Sequence, residues 1–371
     1  MTGNSAKDGV VLLGVGDVGP IHEPMGGYGT LARDTLATGD ICFAQCERVY
    51  SERGSLQIHS GGGHSRCRPE AASIFSDCGF DIVSVASNHA MDWGADALLD
   101  TIELLRANGI AAVGGGRSLE EARQPAILER KGVKVAFLAY CSILRDGYAA
   151  GPKKAGVAPL RAHTYYRPFD YQAGVPPMVV TMPYEEDLEA MAGDIAAAKK
   201  QAHAVVVSLH WGIHFIPRLI ADYQPTVAKA AFAAGADLIL GHHAHVPKAI
   251  GVYDGKVCLF SLSNFIMSGT EKSPEAARAF EQEYSVVLDP DYPRLPYGAD
   301  AKRSLIAKAV LGRNGVKRVS FLPALIDTQL RPEVLKRGDP RFDDAVGFME
   351  WVSEGFPHRF TVDGDEVLVG V

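Results

Sequence analysis

Apolar residues along this chain fall into short runs separated by stretches of helical spacing. The runs VVLLGVGD (10–17), DIVSVASNH (81–89), VKVAFLAYCS (133–142), AVVVSLHWG (204–212), ADLILG (236–241) and KVCLFSLSNF (256–265) predict buried strands. DICFAQCE (40–47) adds a further strand candidate, and IAAVGGG (110–116) reads as a short strand and turn. In GADALLDTIELLRANG (94–109), Leu98, Ile102 and Leu105 share one helical face and Gly109 is a natural C-terminal cap. Ser118 and Glu121 form a capping-box pattern at the start of SLEEARQ (118–124). Residues 185–202 and 223–235 predict two more helices.

This rhythm fails over 143–183, which is rich in Pro, Tyr and Gly and reads as an insertion or lid over a site. A polar loop is expected from about 268 to 300. Residues 304–326 predict two strands joined by a GRNG turn, and the last forty residues are mixed. Strands alternating with helices, followed by an antiparallel end, predict an α/β fold with mixed sheets. The expectation is a single domain over 1–371, with 300–371 as C-terminal strands and tail.

The polar residues that stand out lie where the apolar runs stop. One run ends at Asp17, one at Asn88 and His89, one at His210, and one at His242, His243 and His245. Glu47 ends the DICFAQCE run. Sites in α/β sheets form just beyond the carboxyl ends of strands, so these groups are expected to converge. Two carboxylates, a carboxamide and several imidazoles suit Zn, Mn or Fe, and a bridging carboxylate would hold two such ions. On an extended chain, His243 and His245 share a face, which sends His242 to the other side. His242 is therefore expected to support the site from behind or to touch substrate. His214 is expected to line the pocket. Arg48 is a candidate for binding a substrate carboxylate or phosphate.

Composition narrows the partners. The 371 residues carry 37 basic and 44 acidic side chains, a formal charge of -7, which disfavours a nucleic-acid backbone as partner. No apolar run approaches the roughly 20 residues of a membrane span. The polar start MTGNSAKDG lacks the pattern of a signal peptide, so the chain as it stands reads as cytoplasmic. The six cysteines form no CxxC pair and read as reduced. The glycine-rich stretches GGYG (26–29) and GGGH (61–64) lack the context of a nucleotide loop and read as loops around the pocket. Nothing here fixes the oligomeric state.

The motifs GDVG, SNHAMDWG, HWG, GHHAH and SLSNF, in that order over roughly residues 10–266, resemble those of the CapA-type capsule-synthesis proteins of the calcineurin-like metallophosphoesterase superfamily. The resemblance implies a four-layer αββα sandwich of two mixed β-sheets with the site at strand ends. It implies that Asp17, Glu47, Asn88, His210, His243 and His245 are metal ligands, with Glu47 bridging two ions. It makes His89 the general acid, with Asp92 orienting its ring, and it brings in Asn264, through the SLSNF motif, as a candidate for binding substrate or for satisfying backbone groups in a turn. Two positions depart from the pattern. The superfamily's Asp-x-His is replaced by Asp17-Val18-Gly19, and an acidic residue of the family is replaced by His214.

Three functions are compatible with these residues. The first is a metal-dependent hydrolase of phosphoester or amide bonds in a small anionic or glutamyl-type substrate. The second is a metal-free acid–base enzyme, such as an epimerase of an amino acid or peptide. The third is a non-catalytic accessory to polymer synthesis.

Overall fold

Side-chain parity decides how the apolar runs pack. Along Val133–Cys141, the residues Val133, Val135, Phe137, Ala139 and Cys141 enter one core, while Ala136, Leu138 and Tyr140 enter another. The same split recurs in Ala204–His210, where Val206 faces the first core and Val205, Val207 and Leu209 the second. It recurs again in Leu238–His242, where Leu238 and Leu240 oppose Ile239. A sheet apolar on both faces must be covered on both. The computed structural model, which describes residues 9–58 and 66–370, shows how. The polar start of the chain lies mostly outside these residues, and GGGH lies wholly outside them.

One sheet has six strands, in the spatial order Ile250–Tyr253, Lys256–Leu259, Leu238–His242, Ala204–His210, Val133–Cys141 and Ala126–Arg130. Its four inner strands run parallel and its two edges antiparallel. The other sheet has ten strands. Its spine runs Gly315–Ile326, Arg303–Gly312, Val10–Gly19, Ile41–Cys46, Ile82–Ser84 and Ala111–Val113. The two sheets face each other, and Phe43 of one stacks on Phe137 of the other with ring centroids 6.0 Å apart. Helices Glu185–Lys199 and Tyr223–Ala234 cover the six-stranded sheet with Met191, Ile195, Val227 and Ala231. Helices Ala95–Ala107 and Pro340–Ser353 pack on the ten-stranded one. The result is helix, sheet, sheet, helix. All six cysteines are free and buried. Among the described residues no helix is long and apolar enough to cross a membrane.

The strand Val10–Gly19 is shared along its length. Val10 to Gly14 pair antiparallel with Arg303–Gly312, and Asp17 to Gly19 pair parallel with Asn264–Met267. The handover happens at Gly16. A Cβ there would sit 2.0 Å from the Ser263 carbonyl oxygen. Gly241 is equally tight, with a Cβ position 2.1 Å from the Phe260 carbonyl oxygen. These two glycines immediately precede Asp17 and His242, so close backbone approach positions both residues.

Three segments differ from the pattern read along the chain. The expected polar loop at 268–300 contains a helix, Pro274–Tyr284. Ser273 caps it by accepting from the Ala276 amide at 3.3 Å, and Pro274 starts it. None of its residues is fully buried, and it is polar on average, with its few apolar residues confined to one face. The GGYG stretch is a turn of 3₁₀ helix through Met25–Gly27 rather than a loose loop. Residues 143–183 hold an antiparallel hairpin, Ala162–Arg167 with Met178–Pro183. It is tied to the start of helix Tyr223–Ala234 through Thr181, which donates its amide to Asp222 and accepts from the Tyr223 amide.

The two kinds of glycine predict opposite responses. Gly16→Ala forces a Cβ against backbone and is expected to cost at least about 1–3 kcal/mol in urea denaturation. Gly193 lies exposed in the helix Glu185–Lys199 with nothing within 4 Å. Gly193→Ala is therefore expected to stabilise by about 0.5–1 kcal/mol.

Candidate metal centre

Five strand ends deliver polar side chains into the gap between the sheets. Asp17, Glu47 and Asn88 come from the ten-stranded side, and His210 and His242 from the six-stranded side. After His242 the chain leaves the sheet through two left-handed residues, His243 (φ 88°) and His245 (φ 57°). Phe215 and Ser263, next to the same cluster, are also left-handed. Such conformations cost roughly 1–3 kcal/mol each in non-glycine residues and persist where the surroundings impose them.

The donors are close together. His210 Nε2 lies 2.7 Å from Asn88 Oδ1, 3.2 Å from His243 Nδ1 and 3.7 Å from Glu47 Oε2. Asp17 Oδ2 lies 3.4 Å from His245 Nδ1, and Asp17 Oδ1 lies 3.6 Å from His242 Nδ1. Asp17, Glu47 and His210 bring ligand atoms within 4.8 Å of one another. Ser87 donates to Glu47 Oε2 at 3.1 Å. Asp17, Glu47, His210 and His242 are wholly shielded from solvent.

Burial sets the electrostatics. It pushes the Asp17 carboxyl well above the usual carboxylate range, partly offset by the approach of the His243 backbone amide. Glu47 is also raised, by burial and then by the charge of Asp17. The imidazoles of His210, His214 and His243 are held well below their ordinary value by burial first and then by neighbouring imidazoles, among them His245 and His89. Burial brings His242 down to about 3 and His245 to about 4. Both Asp17 oxygens, Glu47 Oε1, His210 Nδ1 and both His242 nitrogens lack a well-formed hydrogen bond. Each such buried polar atom costs about 1–3 kcal/mol. Carboxylates that resist ionisation, facing imidazoles that resist protonation, form an acceptor-rich cavity. A divalent cation fits it, because it offers charge to the oxygens and an empty orbital to the nitrogens.

Beside this cluster, His89 Nδ1 lies 2.7 Å from Asp92 Oδ2, and the other Asp92 oxygen accepts from Tyr148 OH at 2.7 Å. The His89 side chain is 16% exposed and faces the opening more than the cluster does. Of the residues expected to meet substrate, three are committed elsewhere. Arg48 donates from Nε to the Gly19 carbonyl and from a terminal nitrogen to the Ser268 carbonyl, both at 2.6 Å. Asn264 holds His245 Nδ1 at 2.7 Å and donates to the His245 and Ala301 carbonyls. His242 is sealed between the sheets against the Phe43 ring. His214, half-buried, packs on His243 with centroids 3.8 Å apart.

The orientation of His242 is the opposite of the one parity suggested. His242 is the last residue of its strand and shares the inward face of Leu238 and Leu240. The left-handed turn then swings His243 and His245 back toward the same cavity, so alternation stops applying after His242. His22 lies just beyond Gly19, where the Asp17 strand ends, and its ring is held by the Gly269 carbonyl at 3.0 Å.

Ser87, Tyr148 and Tyr297 were not foreseen. Ser87 precedes Asn88 directly, and that adjacency was the one available signal. Tyr297 stacks flat on His245 with centroids 4.6 Å apart and hydrogen-bonds Arg48. With Phe280 and Tyr284 it surrounds Phe215 beside His214 and His245. The segment lying on the imidazoles is therefore 268–300, while 143–183 reaches the site through Tyr148.

Residues 25–268 match the model of the bacterial capsule synthesis protein PGA_cap. The chain belongs to this family. A PGA_cap relative, the PGA biosynthesis protein CapA of Bacillus subtilis, is 32% identical over 55% of this chain and 47% of its own length. The capsule biosynthesis protein CapA of Bacillus anthracis is 27% identical over 55% of this chain and 44% of its own. The chain thus spans about half the length of these curated relatives. Among solved structures, the calcineurin-like phosphoesterase YfkN of Bacillus subtilis aligns over 83% of this chain and 87% of that one, at 13% identity and a TM-score of 0.38.

The buried groups make a pH prediction for the metal-free protein. Below about pH 6.5 the unfolded chain takes up protons that the folded imidazoles refuse, so stability falls with pH. The raised carboxyls act in the opposite sense, because they accept protons earlier in the folded state. Five imidazoles (210, 214, 242, 243, 245) oppose two carboxyls, Asp17 and Glu47. Stability is expected to drop from pH 6.5 to about 4, where His245 begins to titrate. Denaturant midpoints across that window check this, and a midpoint that rises on acidification contradicts it.

Proposed function

We propose that this PGA_cap protein is a metal-dependent hydrolase. Its substrate would be a small anionic or glutamyl-type molecule, cleaved at a phosphoester or amide bond. The observation that carries the reading is the convergence of buried ligand atoms on Asp17, Glu47 and His210, with both Asp17 oxygens and Glu47 Oε1 left without a hydrogen-bond partner. An apolar fold would not retain such a set without a ligand.

Asp17, Glu47 and His245 would hold one ion of Mn, Zn or Fe, and Glu47, Asn88, His210 and His243 a second. When bound, such ions polarise a substrate oxygen and lower the pKa of water. The protein supplies the rest. Burial keeps the imidazoles neutral, the state in which they can ligate. Asn264 and Tyr297 fix the plane of His245. Asp92 fixes the Nδ1 side of His89, so the proton that His89 gives to a leaving group is carried on Nε2. Tyr148 holds Asp92 in turn. His214 and the Phe215, Phe280 and Tyr284 rings would bound the substrate and exclude water. The capsule and PGA biosynthesis names of the relatives support a glutamyl-type substrate over a nucleotide.

The test is elemental analysis of purified protein, with hydrolysis assayed on phosphoester and γ-glutamyl amide panels before and after chelation. Bound Mn, Zn or Fe and chelator-sensitive hydrolysis are expected. His89→Ala is expected to lower kcat by about 10²–10⁴-fold while keeping the metal. Full hydrolysis by protein that binds no metal would overturn the reading.

A further inference from the structure

The superfamily pattern that this chain resembles places a histidine two residues after its first aspartate, but here Gly19 follows Asp17-Val18. On the metal reading above, the ion at Asp17 is left with Asp17, Glu47 and His245. His22 is not among the imidazoles that approach Asp17, which are His242 and His245, and its Nε2 is turned to the Gly269 carbonyl at 3.0 Å.

We infer that His242 supplies the missing ligand from the opposite sheet, so that the ion at Asp17 is held by Asp17, Glu47, His242 and His245. Three observations carry this. First, His242 is fully buried, and neither of its ring nitrogens has a hydrogen-bond partner. A neutral imidazole has one donor and one acceptor nitrogen, and leaving both idle in a dry gap is costly.

Second, the ring points at the right carboxylate. His242 Nδ1 is 3.6 Å from Asp17 Oδ1, whereas His245 turns its Nδ1 to Asn264 at 2.7 Å, which leaves Nε2 as its ligating nitrogen. The first separation is too long for a hydrogen bond. It is the spacing of two donors on one ion, since bonds of about 2.1 Å at a tetrahedral angle put donors about 3.4 Å apart. Third, the placement is built in. His242 pairs with His210 across the parallel strands, so the two imidazoles leave the sheet side by side. The Phe43 ring, with its centroid 5.8 Å from that of His242, walls the ring in on the inter-sheet side.

A ligand and an idle core histidine respond differently to replacement by an apolar ring. The inference rests on the hydrolase reading, so metal binding by the wild-type protein serves as the control. The metal-free wild-type protein and His242→Phe are titrated with Zn²⁺ and with Mn²⁺ by calorimetry, and the melting temperature of each is measured without metal. Wild type is expected to bind two equivalents. His242→Phe is expected to melt no lower than wild type when metal-free, and to lose the Asp17 ion with an affinity drop of about 100-fold or more. That exceeds the 10–100-fold typical of groups that only orient a ligand. Two equivalents at unchanged affinity in His242→Phe would overturn the role of His242 and leave the hydrolase reading standing. A wild-type protein that binds no metal would overturn that reading itself.

Should His242→Phe fail to fold, His242→Cys keeps the test open. A thiolate at this position is expected to give cobalt-loaded protein a sulfur-to-cobalt charge-transfer band that wild type lacks. Cobalt binding without that band would overturn the assignment.

Discussion

The structure is organised around one unfavourable act, the withdrawal of two carboxylates and a group of imidazoles from water into the gap between two sheets. Desolvation dominates the proton equilibria of Asp17, Glu47, His210, His242, His243 and His245. No hydrogen bond in the cluster fully offsets it. Ser87 reaches one oxygen of Glu47 and Asn264 reaches one nitrogen of His245, while other donor atoms stay bare. Groups in this state are held by the rest of the fold. The stacked Phe43 and Phe137 keep the sheets at their distance, and tight glycines at 16 and 241 bring the strand ends together.

The surroundings of the cluster divide by chemistry. On one flank, Tyr148, Asp92 and His89 form a chain of hydrogen bonds ending at the more exposed imidazole. On the other, Phe215, Phe280, Tyr284 and Tyr297 form an aromatic wall with no carboxylate in it. Arg48 ties the aromatic flank to the strand that bears Asp17. It bonds the end of the Asp17 strand and the Ser268 carbonyl, and it meets the Tyr297 hydroxyl. Its charge also lowers the Glu47 carboxyl, though less than burial raises it.

Much of this was legible because the chemistry lies at the ends of strands, and strands announce themselves by parity and apolar runs. Asp17, Asn88, His210 and the histidine triplet could be gathered from separate runs without coordinates. What was not legible depends on where regular structure stops. Alternation gave the wrong side for His242 because the strand ends there and the next residues take left-handed backbone. The helix Pro274–Tyr284 was hidden because it buries no residue fully, and its two useful rings, Phe280 and Tyr284, are the only aromatic marks of its working face. By residue type alone Arg48 and Asn264 are candidates for binding substrate. Both are absorbed by backbone carbonyls and an imidazole, long-range partners that no spacing reveals.

The divided partnership of the first strand has a consequence for how much of this chain the fold needs. The stretch matched by the PGA_cap model runs from 25 to 268, yet the strand bearing Asp17 lies before it. Half of that strand is completed by Arg303–Gly312, well after it. The matched stretch alone would leave the ten-stranded sheet without its central strand and the cluster without its first carboxylate. The matched stretch of this chain is therefore shorter than the piece that closes the two sheets. An excised 25–268 fragment would keep the six-stranded sheet with His210 and His242 but would lack the strand that carries Asp17 and joins Ile41–Cys46 to Asn264–Met267.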